Sequence, residues 1–202
     1  EGASVNELKN FINNEFQVPQ NTAYIDKFDP STGEAYCRQP ESDELDVVVA
    51  IQAANKAFEK WSKLEVDERA TFLRRMADAI EARSEEFAEL ESRDVGKPLW
   101  LTETVEIPQA VETLRFYASR ILHFTERASW MDGQALNYPL HQPLGVAAIV
   151  SSWNQPLLQL ISHLAPALAM GNTCVCKPSI WSPATSHLLG EVIPSTKLPK
   201  GV

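Results

Sequence analysis

Apolar positions along this chain change their period several times, and each change predicts an element. Within the first forty residues the runs are short and read as strands. Phe11-Ile12-Asn13-Asn14-Glu15-Phe16 places apolar ends around an Asn-Asn pair, which predicts a hairpin. Asp29-Pro30-Ser31-Thr32-Gly33 is a turn by composition, because proline fixes one φ and glycine permits a positive one. Helical spacing then takes over. Ser42 is the expected N-cap of a first helix, with Glu44 and Asp46 at its positive end and Val47, Val48, Ile51, Ala54, Ala57, Phe58 and Trp61 as its apolar stripe. A second helix starts near Asp67 and carries Phe72, Leu73, Met76, Ala79 and Ile80. A third covers 84–94 and ends at Gly96 with Pro98 beyond. A fourth covers 102–124, with a kink or break expected at Pro108.

After these helices the period shortens again. Trp130 and Met131, a turn at Asp132-Gly133, and residues 135–140 predict a second hairpin. Residues 145–151 form a continuous apolar run, as expected of a parallel strand buried on both faces. A helix over 157–170 follows and stops at Gly171-Asn172. A short strand over 173–177 and a helix from Thr185 come next. Strand, helix, strand, helix is the opening of a parallel α/β sheet. The chain thus reads as strands and helices over 1–127, a hairpin over 128–143 and the first β-α units of a sheet over 144–202. One and a half units leave open strand edges, and a nucleotide-binding sheet needs about five or six strands. The expected fold class is therefore α/β, as part of a larger, Rossmann-like domain.

Composition narrows the function classes. The 202 residues carry a formal net charge of -9, with 22% charged and 44% hydrophobic residues, as in ordinary globular proteins. An acidic surface without a basic cluster argues against nucleic-acid binding. The longest apolar region, 157–170, is interrupted by Gln159, Ser162 and His163 and falls short of the ~20 residues that span a bilayer. No membrane partner is expected, and the start at Glu1 has no basic-then-apolar leader. The three cysteines, Cys37, Cys174 and Cys176, form neither a disulfide framework nor a metal pattern. Reduced thiols in the cytoplasm are the simplest reading.

Candidate chemistry gathers at strand ends, where α/β proteins place ligands. Asn154, in Ser151-Ser152-Trp153-Asn154-Gln155-Pro156, can donate its side-chain amide to a developing oxyanion. The competing reading is a helix N-cap, which residue chemistry alone favours. Lys177, at the end of the second strand before Pro178-Ser179, can hold a ribose hydroxyl or a phosphate, or be a solvated surface lysine. His163 and His187 stand alone on helices and read as packed. The cysteines in the strand read as small hydrophobes, and Cys37 has no activating neighbour.

Four segments, in order and spacing, resemble the aldehyde dehydrogenase superfamily. They are Asn10-Phe11-Ile12-Asn13-Asn14-Glu15-Phe16 with Asp29-Pro30-Ser31-Thr32-Gly33-Glu34; Ala53-Ala54-Asn55-Lys56-Ala57-Phe58 with Trp61 and Glu68-Arg69; Pro143-Leu144-Gly145-Val146 through Trp153-Asn154; and Leu164-Ala165-Pro166-Ala167-Leu168-Ala169-Met170-Gly171-Asn172-Thr173 with Lys177-Pro178-Ser179. The similarity runs from about residue 10 to the end and points to the branch that oxidises muconic-type semialdehydes. It implies NAD- or NADP-dependent oxidation of an aldehyde to an acid through a thiohemiacetal, hydride transfer and thioester hydrolysis. It matches Asn154 to the oxyanion-hole asparagine, Lys177 to the lysine that bonds the adenosine ribose, Ser179 to the cofactor-binding residues, and Ile149, Val150, Ser151 and Trp153 to the cofactor cleft. Arg115 falls where the substrate tunnel is built, and holds either a substrate carboxylate or a structural ion pair. The hairpin at 128–143 resembles the strands through which the family oligomerises.

Three departures stand against that pattern. Ser152 replaces the usual proline before Trp-Asn. Ile180 replaces an acidic residue that accepts from the ribose, a loss of on the order of 1–3 kcal/mol that is expected either to weaken cofactor binding or to shift the preference between NAD and NADP. The pyrophosphate turn, the general-base glutamate and the nucleophilic cysteine of the family lie after residue 202. The chain by itself is thus expected to be inactive. Its partners would be an aldehyde and either identical copies or a companion chain with the remaining parts. The alternative is a non-catalytic member acting in binding or assembly.

Overall fold

The computed structural model describes residues 6–202. Short strands open the chain. β1 (Asn6–Glu7), β4 (Tyr24–Phe28) and β5 (Ala35–Pro40) form one sheet in the order β1-β5-β4. β2 (Asn10–Ile12) and β3 (Glu15–Gln17) form the expected hairpin, with Phe11 opposite Phe16 and both turn asparagines at positive φ. The turn after β4 closes through Gly33 N–H to the Asp29 carbonyl at 2.7 Å.

Three helices follow: α1 (Glu44–Trp61), α2 (Val66–Glu81) and α3 (Ser84–Val95). The cap of α1 is Asp43, whose carboxylate accepts from Leu45 N at 2.9 Å. Ser42, expected in that role, instead exchanges hydrogen bonds with Asn10. The carboxylate one residue on is the stronger acceptor at a helix start. The apolar stripe read for α1 is only partly used. Ala54 and Trp61 are buried, but Val47, Val48 and Ile51 are exposed. α3 ends as expected on Gly96, in the left-handed conformation.

The fourth helix is built in three pieces. α4 (Leu99–Leu101) runs through a π turn over Thr102–Glu106 into α5 (Ile107–Leu122). The break expected at Pro108 lies just before it: Ile107 N–H reaches five residues back, to the Thr102 carbonyl. A proline ring crowds the carbonyl four residues back, and the wider turn makes room for it.

The hairpin of β6 (Ser129–Met131) and β7 (Ala135–Asn137) turns at Gly133 and is exposed throughout. Then come β8 (Val146–Val150), α6 (Pro156–Ala169), β9 (Thr173–Lys177) and α7 (Ala184–Val192). β8 and β9 pair in parallel, from Val146 opposite Thr173 to Val150 opposite Lys177. Burial on both faces of β8 is not what the fold provides. Ile149 is buried, whereas Ala148 and Val150 on the alternate face are exposed, Val150 by 73%. That alternate face is covered at its amino end, where Thr173 is buried and donates to the Ala54 carbonyl of α1 at 3.0 Å, and is open toward Val150.

The core is therefore helical. Leu73, Met76 and Ile80 of α2, Ile107 and Leu114 of α5, and Leu157, Ile161 and Leu168 of α6 are almost fully buried together. Arg69 locks two of these helices, donating from Nε to the Ala169 carbonyl at the end of α6 (2.9 Å) and from a terminal nitrogen to the Leu64 carbonyl. Among the described residues no helix is long and apolar enough to cross a membrane. Nor does any group of three or more His, Cys, Asp and Glu side chains there have the arrangement of a metal site.

Candidate functional site

The carboxyl ends of β8 and β9 lie side by side, held by Ser151 N–H to the Lys177 carbonyl at 3.3 Å. This places Ile149, Val150, Ser151, Trp153, Asn154, Lys177 and Ser179 at one end of the strand pair. Ile149 and Ser151 are buried; Val150, Trp153, Asn154 and Lys177 are exposed. Ser179 shapes the turn after β9, accepting from Trp181 N at 3.2 Å. Ile180 is half exposed, and its carbonyl accepts from Gln39 Nε2 at 2.6 Å. The Lys177 ammonium has only a long contact, 3.4 Å, to the Pro178 carbonyl. It faces no carboxylate among the described residues and can take an anionic or hydroxyl-bearing ligand.

Asn154 sits in the loop between β8 and α6, and its surroundings separate the two readings of it. A cap would accept from the first turn of α6. That N–H, of Leu157, is instead taken by Glu91 Oε2 at 3.1 Å, and α6 has no side-chain cap of its own. The Asn154 side chain points elsewhere: its Oδ1 accepts from the Ser152 hydroxyl at 2.6 Å. With its oxygen engaged, the amide presents Nδ2 outward, and Nδ2 has no acceptor among the described residues. An uncommitted amide donor can stabilise negative charge that develops within its reach.

Behind this loop lies a buried polar cluster that sequence reasoning missed. Lys97 Nζ donates to Glu106, to Glu91 Oε1 (3.3 Å) and to the Asn154 carbonyl (2.9 Å). Gln155 Nε2 donates to Glu106 Oε1 at 3.2 Å. Glu91 is fully buried and Glu106 nearly so. Burial pushes the Glu91 carboxyl up to about 7, against the opposing pull of Lys97 and of the Leu157 N–H. A second carboxylate on α3, Asp94, does the same for the next helix. It accepts from Ala184 N at 2.9 Å, with Lys27 at 3.3 Å as its cation, and burial raises its pKa too. One signal was present in the sequence: Glu91 and Asp94 fall on the α3 stripe that Phe87 and Ala88 begin, where an apolar residue belongs.

Arg115 is not brought to the loop. It pairs from α5 with Asp78 (3.2 Å) and, through both terminal nitrogens, with Glu81 of α2. His187 is packed as expected, stacking on Phe16 at 4.5 Å, whereas His163 is exposed and bonds to the Gln159 carbonyl. Cys37 is buried, and burial pushes its thiol up to about 11; burial raises the Cys174 thiol as well. Neither has the character of an activated nucleophile.

Comparison with known proteins places this geometry in a family. The sequence profile of the aldehyde dehydrogenase family matches residues 17–202. The chain belongs to that family. It is 42% identical to the 2-aminomuconic semialdehyde dehydrogenase of Homo sapiens, over 96% of this chain and 40% of that protein. It is 39% identical to the 2-hydroxymuconic semialdehyde dehydrogenase of Pseudomonas sp. (strain CF600), over 97% of this chain and 41% of that one. The fold superposes on the NAD+ complex of an aldehyde dehydrogenase from Bacillus cereus with a TM-score of 0.93 at 32% identity, covering 96% of this chain and 40% of that structure. The chain thus spans about 40% of the length of these aldehyde dehydrogenases, corresponding to their amino-terminal part.

Proposed function

We propose that this chain supplies the oxyanion donor and the ribose grip of a nicotinamide-dependent dehydrogenase that oxidises a muconic-type semialdehyde to its acid. The observation that carries the reading is the Asn154 amide, its oxygen engaged by Ser152, at the same end of the strand pair as Lys177. When an aldehyde carbonyl is attacked by a thiolate, its oxygen becomes an anion, and Asn154 Nδ2 donates to it. A nicotinamide cofactor held here would supply the hydride acceptor, and hydrolysis of the thioester would then release the acid. Lys177 and Ser179 hold the adenosine ribose; Ile149, Val150, Ser151 and Trp153 form the wall against which the cofactor lies. Exposed Val150 and Trp153 and an uncommitted lysine suit such a ligand. Ile180 suits it less, since its side chain offers a ribose hydroxyl no acceptor. In this reading 1–127 and 144–202 belong to a Rossmann-like cofactor domain. Arg115 keeps its ion pairs, because meeting a substrate carboxylate would mean giving up Glu81.

A second reading, assembly, is favoured by one observation: Trp130, Met131, Leu136, Tyr138 and Leu140 are all exposed on or beside the β6–β7 hairpin. The two readings are compatible if the hairpin joins copies of a working enzyme. The test joins residues 1–202 to the remaining portion of the human 2-aminomuconic semialdehyde dehydrogenase. It follows NADH absorbance with a semialdehyde substrate. Turnover is expected; a folded joined protein that leaves NAD unreduced would contradict the enzymatic reading and leave assembly.

A further inference from the structure

We infer that Lys97, braced by Glu91 and Glu106, is the positioning residue that fixes where Asn154 stands. The inference rests on the oxyanion reading of Asn154 for its meaning but not for its geometry. The loop 151–155 has little else to hold it. Ser152, Trp153 and Asn154 are exposed, and α6 begins without a side-chain cap from its own chain segment. Three bonds from one cluster pin the loop: Lys97 to the Asn154 carbonyl, Glu106 to the Gln155 side chain, and Glu91 to the Leu157 N–H. Lys97 is the only cation in that cluster. It lies just past Gly96, whose left-handed conformation turns the chain out of α3. Two buried carboxylates would repel each other without it, so one ammonium both joins them and carries the Asn154 carbonyl on its third bond. The separation of labour is clean: Lys97 sets the backbone of Asn154, and Ser152 sets which end of its amide faces out.

The test is deuterium uptake by the chain itself, read by mass spectrometry on peptides covering 151–158 and, as a control, the cores of α2 and α6. With Lys97→Met, uptake at the Leu157 amide, the loop N–H that the cluster holds, should rise about tenfold, the loss expected for a charge-assisted bond, while the core peptides are unchanged. Lys97→Arg should restore most of the protection. Unchanged uptake in the loop would overturn the inference, as would a rise spread evenly over loop and core with no rescue by arginine. If Lys97→Met does not fold, Glu106→Gln decides: loosening confined to the loop supports positioning, and an unchanged loop overturns it. No turnover is measured, so an Asn154 that proves catalytically silent leaves this result readable, and a loop that proves unbraced leaves the role of Asn154 open to its own test.

Discussion

At the scale of single residues, the site depends on polar atoms whose partners come from distant parts of the chain. Glu91 accepts from a helix start that follows 66 residues later, and Lys97 reaches a carbonyl 57 residues away. Such pairings leave little trace in a sequence. Asn154 could be singled out because it ends a strand, but its release from capping could not, because the cap that replaces it sits on α3. Ser152 looked like a lapse from the family pattern and turns out to orient the amide. The cluster also makes a pH prediction. Glu91 faces Lys97 and Glu106, and burial raises its pKa from the ordinary 4.5 to about 7. A carboxyl raised on folding contributes stability that is fully present below about 4.5 and is lost as pH rises through about 7. Urea midpoints should therefore fall between pH 5 and pH 7.5, and Glu91→Gln should flatten that slope. An equally steep slope in the variant would place the linkage elsewhere.

At the scale of elements, local signals were sufficient wherever the element satisfies itself. The Asn-Asn hairpin, the Gly96 stop of α3, the apolar stripe of α2 and the alternation of β8, α6, β9 and α7 were all legible in the order of residue types. What was not legible is which faces the fold covers. The α1 stripe and the second face of β8 have the pattern of buried surfaces yet are open here, since periodicity reports that a face is apolar and not what lies against it. The π turn was visible only as an expected disturbance at Pro108. Gly171 is a position where the requirement can be tested. Its φ is +86°, and an added Cβ would stand 2.9 Å from Pro143 Cγ, so the end of α6 and the approach to β8 close on each other through it. Gly171→Ala should destabilise the fold by about 1–2 kcal/mol from the backbone alone, seen as a lowered urea midpoint with an unchanged slope. An unaffected midpoint would mean that this junction carries no strain.

At the scale of the whole molecule, the described chain is a helical core with open faces around it. Strands β8 and β9 each have a single hydrogen-bonded neighbour, and the β6–β7 hairpin exposes Trp130 by 67%. Open edges and apolar hairpins favour association. Residues 1–202 on their own should sediment as dimers or larger species at micromolar concentration, and a stable monomer would count against this. The chain spans about 40% of the length of the relatives it matches. The central claim remains a chemical one, that the outward amide of Asn154 stabilises the oxyanion of an aldehyde under attack. It is tested most directly by the kcat of Asn154→Ala in the joined protein described above. The account predicts a fall of about 10²–10³-fold with little change in KM, the loss seen when one oxyanion donor is removed. A variant that turns over semialdehyde as fast as its parent would contradict it.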